Sequence, residues 1–151
     1  MAKYITSADQ SVTLNGDIQF DQVSISCKKG TVLPVAPGLL TLRGGTNGRP
    51  AQYRVAISAN VQIPTAGAVT PIALAITYDG VVLADSIAII TPQAVEQYDH
   101  IYNEVTVIVP CGCCANVGAR YVDGTVDDAT ATGTPLITVR RDASIDVTRI
   151  A

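Results

Sequence analysis

Residues 53–63 alternate without a break. Tyr53, Val55, Ile57, Ala59, Val61 and Ile63 fall on one parity, and Arg54, Ala56, Ser58, Asn60 and Gln62 on the other. A period of two puts successive side chains on opposite faces of a strand, and helical spacing cannot reproduce it over this length. Shorter stretches of the same kind occupy residues 23–27, 39–43, 101–109, 116–122, 136–140 and 144–150, with Val105, Val107 and Val109 expected to point inward. Turn signals separate them. Asn15-Gly16 inside 11–20 and Asp79-Gly80 between 72–78 and 81–90 predict hairpins. Pro92 breaks the stretch 91–99, which reads as a loop or a single turn, and the polar stretch 125–134 reads as a surface loop. The pattern predicts eight to ten strands in one domain over 11–151, with residues 1–10 as an N-terminal arm ahead of the first strand. Even spacing of short strands and turns points to an all-β sandwich or jelly roll.

Composition supports that class. Val, Ile and Thr number 18, 15 and 16 among 151 residues, whereas Lys and Glu together number five. β-Branched residues favour strands, and Lys and Glu favour helices. Only 15% of residues are charged and 48% are hydrophobic, against roughly 25% charged in an ordinary soluble domain. So little charge implies that some surface is hidden by self-association. The net charge of −3 and the scatter of three Lys and seven Arg argue against nucleic acid. Residues 55–78 carry no charge, but Pro64, Gly67 and Pro71 interrupt them, so a membrane-spanning helix is not expected. No apolar signal segment opens the chain, which implies synthesis and solubility in a cytoplasm.

Candidate chemistry is sparse. The single histidine, His100, lies in the polar run Gln97-Tyr98-Asp99-His100 and reads as a solvated loop residue. Gly44-Gly45-Thr46-Asn47-Gly48 has no following Lys-Ser/Thr and reads as a turn, not a phosphate cradle. Asp127-Asp128 offers at most a weak calcium site. The four cysteines leave three alternatives for Cys27, Cys111, Cys113 and Cys114: a zinc site, for which C-x₂-C spacing occurs once; a disulfide within or between chains; or reduced thiols packed as small apolar residues, the favoured reading. No catalytic, cofactor-binding or metal-binding residues are assigned, no cofactor is expected, and the chain reads as a non-enzyme.

Residues 40–47 (LTLRGGTN), 51–65 (AQYRVAISANVQIPT), 71–76 (PIALAI), 88–92 (AIITP), 109–114 (VPCGCC) and 143–151 (ASIDVTRIA) together resemble a family of small TNF/C1q-like jelly-roll proteins from gut Firmicutes and their phages. The resemblance spans about residues 10–151. Family members usually carry an uninterrupted Gly-Cys-Cys after the strand-ending Pro-x; here Cys111 adds a thiol. The resemblance implies a trimer with two antiparallel sheets per subunit and a structural role on a particle surface.

The leading expectation is a virion structural protein, made in a host bacterial cytoplasm: a homotrimeric capsid decoration protein that binds the major capsid protein of a phage head. Small residues on strand faces (Ala56, Ser58, Ala73, Ala75) would let subunits approach closely, and residues 1–10 would be the candidate anchor. The alternative is a receptor- or glycan-binding tip of a phage fibre or spore-surface filament.

Overall fold

A computed structural model describes residues 1–26, 38–67, 69–112, 114–123 and 136–151, with the backbone alone for 32–36. Among these residues there are thirteen strand segments, one 3-10 turn and no α-helix. In the first half lie β1 (Ala2–Ile5), β2 (Gln10–Thr13), β3 (Gln22–Ile25), β4 (Val32–Ala36), β5 (Leu39–Arg43) and β6 (Ala51–Gln62). The second half holds β7 (Ile72–Tyr78), β8 (Val81–Val82), β9 (Ala88–Ile90), β10 (Asp99–Val109), β11 (Cys114–Asp123), β12 (Leu136–Val139) and β13 (Ser144–Arg149).

Two sheets result. In the first, β6 is central. Along one edge it pairs with β10, from Ala51 opposite Val109 to Val61 opposite Asp99. Its other edge is shared by β13 and β12, beyond which lie β1 and β2, with β3 outside β1. The second sheet runs β4-β5-β11-β7-β8, with β9 also on β7. All the pairings are antiparallel.

The inward faces of β6, β10 and β13 supply Tyr53, Val55, Ile57, Val105, Val107, Ile145 and Val147; those of β5, β7 and β11 supply Leu40, Leu42, Ile72, Leu74, Ile76, Val117 and Tyr121, all in one buried cluster. Burying each such aliphatic side chain contributes about 1.5–3 kcal/mol. The Tyr53 hydroxyl donates to the Arg43 carbonyl at 2.6 Å, which satisfies the one polar atom that this ring carries into the core.

Three departures from the expected strands have local causes. The alternation in residues 11–20 does not close as a hairpin. Asn15 turns the chain at φ 64°, and residues 15–18 cross to the second sheet along β11, with Asn15 N–H donating to the Tyr121 carbonyl (2.7 Å) and Ile18 N–H to the Ala119 carbonyl (2.9 Å). The Asp79-Gly80 turn does form a hairpin, Tyr78 opposite Val81, with both turn residues at positive φ (50° and 82°). Its return strand breaks after β8 at the 3-10 turn Ala84–Ser86. There the Ser86 hydroxyl takes the ladder's place, accepting from Ile76 N–H at 2.8 Å and donating to the Leu83 carbonyl at 2.7 Å.

The third departure concerns residues 1–10, which are not an arm. β1 is an interior strand of the first sheet, Lys3 pairing with Asp146 on one side and Ile25 on the other, and Ala2 and Tyr4 are buried. Their alternation, Ala2 and Tyr4 in and Lys3 and Ile5 out, is too short to rise above the noise of a period-two search. Buried Thr6 then joins the breaks between β1 and β2 and between β12 and β13. Its N–H donates to the Ala143 carbonyl (3.0 Å), and its hydroxyl accepts from Ala143 N–H (3.1 Å).

Candidate functional site

The outward face of the first sheet is organised by its register. Across β10, β6 and β13 it presents the rows Tyr102–Ser58–Ser144, Glu104–Ala56–Asp146 and Thr106–Arg54–Thr148. At one end Ile108 lies opposite Gln52, whose backbone also bonds Ile150 and Ala151 on its other side. At the far end His100 lies opposite Asn60. The centre is a shallow trough of small side chains. Its rim carries three open apolar side chains, Tyr102, Ile108 and Ile150, which are 54%, 56% and 55% exposed, beside the charged Arg54, Glu104 and Asp146. Tyr102 donates to the Glu104 carboxylate at 2.8 Å, and that hydrogen bond, ahead of partial desolvation, raises its phenol above the ordinary 10.0.

Little of the expected small-residue surface is available. Ser58 is partly exposed and Ala56 is buried on this face, and Ala73 and Ala75, on the second sheet, are fully buried against Val122 and Val82 of the same chain. Those two alanines are part of a satellite core and cannot meet another subunit.

His100 stands on β10, at a strand start and not in a loop. Its Nδ1 lies 3.2 Å from Asn60 Oδ1 and its Nε2 3.4 Å from Ser58 Oγ. Because a carbonyl oxygen only accepts, Nδ1–H donates to Asn60, while the Ser58 hydroxyl can either donate to or accept from Nε2. Hydroxyl, imidazole and amide thus stand in the order of a nucleophilic triad. Ser58 is in the middle of a strand paired on both edges, with Tyr102 and with Ser144, so its own backbone is committed to the ladder.

Beside His100 a cleft of about 420 Å³ is lined by Ile90, Thr91, Gln93, Gln97, Asp99 and His100. Tyr98, between two of these, carries the Arg140 guanidinium over its ring at 5.8 Å from the centroid. The sequence reading named Gln97, Asp99 and His100 as one polar run; the placing of Ile90, Thr91 and Gln93 beside them depends on how the intervening turns fold.

The other candidates are placed as follows. Asn47 and Gly48 have φ values of 60° and 74°, and Arg49 N–H donates to the Thr46 carbonyl, so 46–49 is a tight turn. A Cβ on Gly45 would lie 2.0 Å from the Arg49 carbonyl oxygen, which explains that glycine by close backbone approach. Cys111 and Cys114 are exposed at the β10–β11 turn; Cys27, Cys113, Asp127, Asp128 and the expected loop 125–134 lie outside the described residues. Among the described residues no three His, Cys, Asp or Glu side chains gather as a metal site, and no helix is long and apolar enough to cross a membrane.

No protein-family model matches the sequence, and no curated protein matches it. Solved structures do. The chain is similar to the Eiger TNF of S. frugiperda, with 10% identity and a TM-score of 0.57 over 99% of this chain and 91% of that one. It is similar also to the globular domain of zebrafish complement 1qA protein, with 8% identity and a TM-score of 0.56 over 99% and 96%. The fold is therefore a TNF/C1q-like jelly-roll sandwich of two antiparallel sheets, as the sequence pattern and resemblance implied.

Proposed function

We propose that this protein is a non-enzymatic, homotrimeric virion component that decorates a phage head by binding its major capsid protein. The observation that carries the assembly reading is the outward face of the first sheet, where Tyr102, Ile108 and Ile150 stand open beside the partly exposed Ser58 and the largely covered Ala56 and Ser144. Exposed aromatic and aliphatic groups beside small residues fit a buried contact better than a solvated sheet. TNF- and C1q-like domains are typically homotrimers, and a threefold particle matches the threefold positions of an icosahedral lattice. The non-enzymatic part rests on the sequence, whose candidate chemistry is confined to His100 and the cysteines. The phage placement rests on the sequence resemblance.

Light scattering tests assembly. Three copies of 15.7 kDa give about 47 kDa, a mass that reductant should leave unchanged if the exposed thiols are not staples. Ile108→Glu places a charge in the proposed contact and should yield a folded 15.7 kDa species. A wild-type monomer would overturn the trimer, and a variant that remains trimeric would overturn this face. Co-sedimentation with heads stripped of auxiliary proteins tests the capsid partner; trimers left in the supernatant would refute the decoration role. The polar cleft beside His100 favours a second reading, a receptor- or glycan-binding tip.

A further inference from the structure

We infer that the cleft at the start of β10 is a subsite for a neutral saccharide. This rests on the binding-tip reading, but not on head placement or on trimerisation.

The lining decides the ligand class. Gln93 and Gln97 each bring an amide that both donates and accepts, Thr91 a hydroxyl that does the same, and Asp99 a carboxylate that accepts. Adjacent sugar hydroxyls, each a donor and an acceptor, suit such planar groups. No Lys or Arg lines the cleft, its one formal charge is the Asp99 carboxylate, and the Arg140 guanidinium beside it is taken up over the Tyr98 ring, so the lining itself offers a phosphate or an acidic sugar no countercharge. Ile90 is the single aliphatic in the lining, too little for an apolar ligand. The depression, about 420 Å³, is largely open to solvent, which suits a sugar ring bound at the surface and not an enclosed ligand.

The site is also preorganised on one side. The His100 ring is pinned by Asn60 and Ser58, both on the rigid central strand. These two contacts limit the rotamer freedom the exposed ring would lose on binding. Tyr98 is held against Arg140 on one face, and 36% of its surface remains open.

The test uses the intact chain on an array of neutral and acidic oligosaccharides, followed by saturation-transfer NMR with methyl glycosides of the neutral hits. NMR reads single-site binding, so assembly does not enter. Neutral glycans are expected to bind weakly, and Gln97→Ala and His100→Ala should each weaken them at least tenfold. Gln93 and Gln97 are exposed, so their truncation leaves the fold intact, and Gln93→Ala serves as a second lining variant. Val81→Ser, on the distant β7–β8 hairpin, should change nothing. No neutral hit, hits confined to acidic glycans, or binding held within twofold in Gln97→Ala and Gln93→Ala would each overturn the inference. Failure of head binding in the sedimentation assay would leave it standing.

Discussion

Replacing Tyr4 with alanine separates an N-terminal arm from a structural first strand. The ring is 4% exposed, and the residue stands between Ile145 of β13 and Val23 of β3. Truncating a buried aromatic to alanine costs about 3–5 kcal/mol, less where neighbours can collapse into the space. β3 is an edge strand whose residues are all exposed, so partial collapse is available and the lower end, about 3 kcal/mol, is expected. For a chain of 151 residues, each kcal/mol lowers the melting temperature by about 2–4 °C, which gives a drop of roughly 6–12 °C. Calorimetry and urea titration at one fixed protein concentration would measure it, because assembly makes apparent stability concentration-dependent. Lys3→Ala, on the outward parity of the same strand, should stay within about 0.5 kcal/mol of the parent. If Tyr4→Ala costs less than about 1 kcal/mol, β1 is peripheral and the arm reading returns.

Ser86→Ala should cost about 1–3 kcal/mol in urea titration, because it strands the buried Ile76 N–H that the hydroxyl now receives at 2.8 Å; faster hydrogen exchange at Ile76 would locate the loss. Gly45→Ala should cost about 3 kcal/mol or more, its Cβ meeting the Arg49 carbonyl oxygen at 2.0 Å. Gly48→Ala, with open space but φ at +74°, should cost only about 1–2 kcal/mol; equal losses at the two sites would refute the steric argument. The Asp21 carboxyl is held below its ordinary 3.8, first by the Ser7 hydroxyl and then by the Ser7 amide. Its contribution is therefore present above pH 3.8 and lost as pH falls through the lower folded value. Asp21→Asn should flatten that part of the acid limb, and an unchanged limb would refute the link.

The long strands were legible because their periodicity reports burial directly. β6 and β10 alternate over many residues, and β5 was expected with its observed bounds. The breaks were not legible, since each depends on a distant partner. Asn15-Gly16 has a hairpin's residues, yet residues 15–18 pair with β11, more than a hundred positions away. Ser86 interrupts a strand only because its hydroxyl reaches back to Ile76. The cleft beside His100 was half visible. His100 stood out as the lone imidazole, with Gln97 and Asp99 in the same polar run, whereas Ile90, Thr91 and Gln93 take their meaning from the fold of the preceding turns.

Both proposed surfaces depend on one register. His100 and Ile108 share a parity on β10, and eight residues of rise at ~3.3 Å put them roughly 26 Å apart. The Ile108 end can therefore meet a second subunit while the other borders the cleft, and Ser58 and Tyr102, which flank His100, join the two surfaces. A slip of one residue against β6 would turn Ile101, Val105 and Val107 to solvent and drive Tyr102, Glu104 and Ile108 into the core. That slip is opposed from both sides of the sandwich. The inward parity of β10 packs with Tyr53, Val55 and Ile57 of β6 in the buried cluster. Asn103 anchors the same parity to the opposite sheet, its amide donating to the Leu74 carbonyl at 3.0 Å and to the Ser86 carbonyl as well. The core therefore fixes what the outer face presents. This is why a chain with so few charged residues can leave Tyr102 and Ile108 open without exposing the apolar row that alternates with them.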